Sequence, residues 1–210
     1  MTVGELEGER RTLRLAEAPE RVHWRPMAQV KGTAFLSLRA FLDEVGGAPL
    51  RAKLTARLPR ERAELLESAL AVGWHPLDAY VAAIDALGDA LAKPPEDAAR
   101  AYGRFAAGFD LSTIHRLFLR FANPAYVLEK AGEYWGRYYD TGTWRVERVS
   151  PTRAQADLAG FGAVDPVFCE FLTEYVRRMF ELVGARDVRV SHPRCRARQA
   201  EACHFVAEWR

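Results

Sequence analysis

No stretch of this 210-residue chain approaches the roughly eighteen apolar residues of a membrane-crossing helix. Its first residues, Met1-Thr-Val-Gly-Glu-Leu-Glu-Gly-Glu-Arg-Arg, are charged and lack the apolar centre of a secretion signal. Neither sign of charge dominates: 30 lysines and arginines face 28 acidic residues, for a net +2, which gives no basis for a nucleic-acid surface. The motifs of common catalysis are missing too. There is no Gly-x-Ser-x-Gly, no phosphate-cradling glycine loop, no dinucleotide fingerprint and no His-Glu-x-x-His. Carboxylates such as Glu170 and Glu174 are spaced like charges on a solvated helix face. A non-enzymatic protein is therefore expected. Cysteine is scarce, with three residues. An odd number without a secretion signal points to reduced thiols in the cytoplasm, where metal binding outweighs disulfide formation.

What cysteine there is lies in the last fifth of the chain. Cys169 follows Asp165-Pro-Val-Phe, His192 and Cys195 stand three apart, and Cys203 comes eight residues later. Three thiolates and an imidazole complete the tetrahedral shell of a structural Zn²⁺ with no open position. The spacing is not that of a zinc finger, and it leaves a second reading open, in which the thiols are buried and inert.

A hydrophobic content of 49% is enough for one sizeable core or two small ones. Residues 1–25 form a polar segment expected to be loosely attached. Residues 26–210 read as one α+β domain, mainly helical over 26–140 and sheet plus helix over 141–210. Phe35, Leu36, Leu38, Phe41 and Leu42 make an apolar stripe that Gly46-Gly47 ends. Helices opening on proline are expected over 49–58 and 59–71. Gly73-Trp74-His75-Pro76 reads as a break, and helical period returns over 77–91 until Lys93-Pro94-Pro95. Three further helices are expected over 96–109, 111–121 and 124–139, with boundaries at Gly108-Phe-Asp110 and Asn123-Pro124. The period then changes. Residues 143–149 and 152–158 alternate as strands, 165–183 is an amphipathic helix, and 187–191 and 204–209 are short strands. The sum is a helical first two-thirds leading into a small antiparallel sheet crossed by a carboxy-terminal helix. In that layout Cys169 sits in the first turn of the last helix, and Cys195 and Cys203 flank the connection between the last two strands. His204 follows Cys203 along a strand and should point to the opposite face, away from the cluster.

The runs Asp165-Pro-Val-Phe-Cys169, Val188-Arg-Val-Ser-His192-Pro-Arg-Cys195 and Cys203-His-Phe resemble the carboxy-terminal signature of the 4-vinyl reductase domain family. That family belongs to a superfamily that includes the haem-nitric-oxide-binding domains and the vesicle-tethering TRAPP subunits. The resemblance covers residues 130–209 and implies a structural zinc beside an effector pocket. Cys169, Cys195 and Cys203 would supply the thiolates, and His192 stands where phenol-sensing relatives carry an acidic ligand. It also implies a small aromatic or hydrophobic ligand held by Trp144, with Trp135, Tyr138 and Tyr139 beside it. His115, on a preceding helix, is the candidate contact to the ligand's hydroxyl. One departure is the turn before the last cysteine, which usually carries glycine and here reads Arg198-Gln199-Ala200-Glu201. Across its whole length the chain resembles an uncharacterised myxobacterial family of similar size. Val30-Lys-Gly-Thr-Ala-Phe, Gly73-Trp74-His-Pro-Leu and Arg137-Tyr-Tyr-Asp-Thr-Gly carry that likeness.

The function implied is a cytoplasmic small-molecule sensor or regulatory domain, a homodimer that signals to a protein partner. Two alternatives stand beside it: a TRAPP-like adaptor with a closed pocket, and a tetrapyrrole-binding protein. Ile114-His115-Arg116-Leu117 ahead of Asn123-Pro124 echoes the haem-ligating helix of the nitric-oxide binders. The Tyr-x-Ser-x-Arg run that holds the haem propionates in those proteins is absent here. Whether Trp135, Trp144 and Tyr139 line a cavity or fill a core separates sensor from adaptor.

Overall fold

The structure of the chain, a computed structural model, describes residues 27–113 and 123–210. His115, the polar segment 1–25 and all but the first three residues of the helix expected over 111–121 lie outside the described residues.

Two helices open in the same way. α6 (Pro124–Tyr138) and α7 (Pro166–Leu182) each begin on proline, and the side chain just before it caps the first turn. Asn123 Oδ1 accepts from the Tyr126 amide at 3.0 Å, and Asp165 Oδ1 accepts from the Phe168 amide at 2.7 Å. Such caps pair amides that the helix leaves orphaned, while proline has no amide to lose. Both helices keep the expected bounds to within a residue.

α5 (Pro95–Thr113) does not. It runs straight through Gly108-Phe-Asp110, where the sequence suggests a boundary. A lone glycine costs a helix only about 1 kcal/mol, which packing readily overrides, and Asp110 is buried rather than shaping a loop. α1 (Thr33–Thr55) likewise passes Gly46-Gly47, but there a kink remains: Gly47 has φ 61° and ψ −154°, a conformation only glycine adopts readily. α2 (Arg60–Ser68), α3 (Leu77–Asp85) and the short α4 (Leu87–Leu91) complete the helical part. The expected break at Gly73-Trp74-His75-Pro76 is mostly strand: β2 (Trp74–Pro76) pairs antiparallel with β1 (Gln29–Lys31). Three residues are too few to show a period.

The second sheet is antiparallel, in the order β3-β4-β6-β5. Its strands are β3 (Thr143–Ser150), β4 (Arg153–Ala159), β5 (Arg189–Arg194) and β6 (Cys203–Glu208). Cys203, Phe205 and Ala207 of β6 alternate inward, toward the face of α7 that buries Phe168, Phe171, Leu172 and Phe180. The α+β class and the sheet-plus-helix ending are as expected. α5 lies close against α7, because a Cβ on Gly103 would meet the Phe171 carbonyl oxygen at 2.3 Å. Arg104 pairs across the same seam with Glu174 (3.4 Å) and Glu181 (3.2 Å), and Arg100 pairs with Glu170 (2.8 Å).

One apolar cluster runs from Val30 through α1, α3 and α5 to Phe168, Cys195, Cys203 and Phe205. Inside it Tyr80 donates to the Tyr102 hydroxyl at 2.8 Å, which donates to the Ala34 carbonyl at 3.1 Å, so neither buried hydroxyl is stranded. A smaller cluster with Phe180, Ala207 and Trp209 closes the far end of the sheet. Among the described residues no helix is long and apolar enough to cross a membrane.

Candidate metal centre and ligand cavity

Three elements bring the cysteines together. The first turn of α7 carries Cys169, Cys195 follows β5, and Cys203 opens β6. Sγ of Cys169 lies 3.8 Å from Sγ of Cys195 and 3.9 Å from Sγ of Cys203. Sulfurs about 2.3 Å from a zinc ion at tetrahedral corners stand about 3.8 Å apart, whereas a disulfide needs about 2.05 Å. All three thiols are free. The ligand atoms of Cys169, His192, Cys195 and Cys203 fall within 4.8 Å of one another. His192 stacks flat on Phe205, with centroids 4.4 Å apart and 9° between planes, and its Nε2 is buried with no hydrogen-bond partner among the described residues. A buried ring nitrogen without a partner is costly, and a metal ion would satisfy it.

The surroundings suit thiolate chemistry. Hydrogen bonding to the Cys169 thiol holds Cys203 down to about 4, helped by His192 and by the Arg196 amide, which donates to Cys203 Sγ at 3.5 Å. The same sharing pushes the Cys169 thiol up. A polar cleft lined by Arg100, Glu170, His192 and Arg198 opens over Cys169 and Cys195, giving an ion a way in. The turn between Cys195 and Cys203 does require the left-handed backbone that glycine favours, at Gln199 (φ 67°). Three amides tie that turn down: those of Arg198 and Ala200 donate to the Cys195 carbonyl at 2.9 and 3.1 Å, and that of Gln199 to the Arg196 carbonyl at 3.1 Å. His204 stays out of the group, its Nδ1 2.7 Å from Asp157 Oδ1. The Cys₃His group is able to hold a metal ion.

A cavity of about 160 Å³ lies between α5, α6, α7 and the inner face of the sheet. Trp135, Tyr138, Tyr139 and Trp144 all line it. Trp135 stacks on Tyr139 at 4.2 Å and meets Trp144 edge-on at 5.6 Å. Its Nε1 donates to the Thr141 carbonyl at 2.8 Å, which fixes the indole and satisfies its polar tip. Phe205 joins the two features, because it lines the cavity, lies 5.3 Å from Trp144 and carries His192 on its ring.

The sequence reading missed the cavity's polar end. Asp110 of α5 lines it while only 7% exposed. Tyr175 donates to Asp110 Oδ2 at 3.0 Å, whereas Oδ1 is buried with no partner among the described residues. Burial pushes this carboxyl up to about 7, against the lowering effect of the Tyr175 hydrogen bond. A usable signal exists in the sequence: an aspartate between Ala106-Ala107 and Leu111 on the buried stripe of a helix.

No protein-family model and no curated protein sequence matches the chain. Solved structures do. An H-NOX protein from S. oneidensis in the Fe(II)NO ligation state aligns with TM-score 0.66 at 14% identity, over 86% of this chain and 99% of that one. The unliganded Fe(II) H-NOX protein from K. algicida aligns with TM-score 0.65 at 10% identity, over 86% and 96%. The H-NOX domain from Shewanella oneidensis in the Fe(II)CO state gives 0.64 at 14%, over 86% and 98%. At these identities the likeness is one of architecture, and the chain has the fold of the H-NOX proteins.

Proposed function

We propose that this chain is a small-molecule-binding sensory domain whose ligand enters the cavity between α5, α6, α7 and the sheet. The observation that carries the reading is the cavity itself, with all four sequence-selected aromatic residues in its wall. An open space where a TRAPP-like adaptor would be filled favours the sensor. Residues 26–210 act in this reading as one domain, and the 4-vinyl reductase likeness supplies the role of the second feature. Cys169, His192, Cys195 and Cys203 hold a structural zinc that pins α7 to β5 and β6. A cytoplasmic homodimer acting on a protein partner, without catalysis, belongs to the same proposal.

Two ligand classes compete. The likeness to H-NOX structures supports the tetrapyrrole reading better than the aromatic-effector reading that the sequence put first. The described wall does not fit a haem. It contains no histidine or cysteine to bind iron and no arginine or lysine to pair propionates, which leaves tyrosine hydroxyls or the Met179 thioether as axial ligands. A volume near 160 Å³ compares with the roughly 150 Å³ apolar cavity that takes one benzene, far short of four linked pyrroles. His115 lies outside the described residues and would be the iron ligand if a haem binds. The two readings part in a pair of titrations on the full chain, one with haemin and one with toluene. Quenching of tryptophan fluorescence by toluene, lost in a folded Trp144→Ala variant, is the expected result. A stoichiometric Soret band that His115→Ala abolishes would replace the aromatic reading with the tetrapyrrole one.

A further inference from the structure

An apolar cavity needs no carboxylate to bind an apolar molecule, yet this one has Asp110 in its wall. Oδ1 of that residue is buried, has no hydrogen-bond partner among the described residues and belongs to a side chain on the cavity wall. Burying an ionised carboxylate without a counter-charge is among the costliest things a fold does. The described wall offers no arginine, lysine or histidine to compensate it. What surrounds the carboxylate instead is aromatic. Tyr80 on α3, Tyr102 on α5, Tyr138 and Tyr139 at the end of α6, and Tyr175 on α7 all feel its charge, and all five hydroxyls are pushed up, burial being the leading cause in each. They therefore stay neutral. Trp135 and Trp144 add two more ring systems to the wall.

Neutral ring faces carry negative charge, and a carboxylate among them makes a place for a positive one. We propose that the cavity takes a small organic cation, a protonated amine whose ammonium sits on Asp110 and whose apolar body lies among the rings. The inference rests on the reading of the cavity as the ligand site and names the ligand's class. A phenol or alcohol would also reach Oδ1, but it would leave the buried charge uncompensated. The volume, about 160 Å³, suits one substituted ring or an amine of similar bulk. The ligand's charge would then neutralise the group that the free protein buries at a cost.

Benzylammonium, benzyl alcohol and toluene share one ring and differ in the head group, so a fluorescence titration of the full chain with each separates the terms. Benzylammonium is expected to bind at least about tenfold more tightly than either neutral probe. The advantage should grow as pH rises through about 7, where Asp110 ionises. In Asp110→Asn that advantage over toluene and benzyl alcohol should vanish. If the variant does not fold, the head-group series on the unmodified chain decides alone. Equal or tighter binding of benzyl alcohol or toluene overturns the cation inference and leaves the cavity reading standing. Retained benzylammonium selectivity in Asp110→Asn removes Asp110 from the site. Failure of all three probes to bind overturns both readings.

Discussion

Burial of Asp110 should cost the protein stability, and the cost has a sign that can be checked. Its carboxyl is pushed from the ordinary 3.8 up to about 7 in the folded state, so the penalty falls on the ionised form. Below the unfolded value both states are protonated and nothing is lost; the penalty then grows as pH rises and is complete above the folded value. A displacement of that size corresponds to roughly 4 kcal/mol. Asp110→Asn should therefore leave the melting temperature unchanged near pH 4 and raise it progressively up to pH 8. A gain independent of pH would mean that ionisation of Asp110 is not its source. At this scale the candidate site was partly legible. Soft ligands crowded into one short stretch give the cysteines away, because few other roles concentrate thiols so, and the resemblance pointed to the four aromatic residues. Asp110 escaped because Gly-Phe-Asp reads as a turn when each residue is weighed by its usual habit. The α-helix that buries it is held by contacts sixty to seventy positions away, from α7.

α5 and α7 form part of the cavity wall, and two glycines of α5 test their seam with opposite signs. A Cβ at Gly103 would press on α7 backbone, the Phe171 oxygen at 2.3 Å and the Tyr175 nitrogen at 3.2 Å, and backbone cannot turn aside. Gly103→Ala is expected to destabilise by about 1–3 kcal/mol despite alanine's better helix propensity. Gly108 has nothing among the described residues within 4 Å of such a Cβ, so Gly108→Ala should stabilise by about 0.5–1 kcal/mol. Urea unfolding of both variants reads the difference, and equal effects would refute the close approach. Elements with a cap and a long period were legible: Asn123-Pro124 and Asp165-Pro166 announce α6 and α7, and the change of period announces the four-stranded sheet. β1 and β2 were not, since each has three residues and earns its pairing from the partner, not from its own pattern. The end of the first part of α1 was legible because Gly47 needs its backbone freedom, whereas Gly108 does not.

In the whole molecule, the Cys₃His group brings α7 together with β5 and β6, and the binding energy of a metal held there would be folding energy. A native mass spectrum of protein purified without chelators should show one zinc per chain and report the oligomeric state at the same time. Removal of the metal by a chelator, or Cys203→Ser, should lower stability by several kcal/mol. Apo mass with unchanged melting in both would reduce the group to three buried thiols and an imidazole. Phe205 shows two faces, one to Trp144 in the cavity wall and one to the His192 ring, so a substitution there would alter ligand fit and metal shell together. Val127, Leu128 and Ala131 on α6 line the same cavity without contributing to the cysteine group. Under the proposed function, positions that alter the cavity alone lie on α6, while β6 carries Cys203 and Phe205 and so ties the cavity wall to the cysteine group.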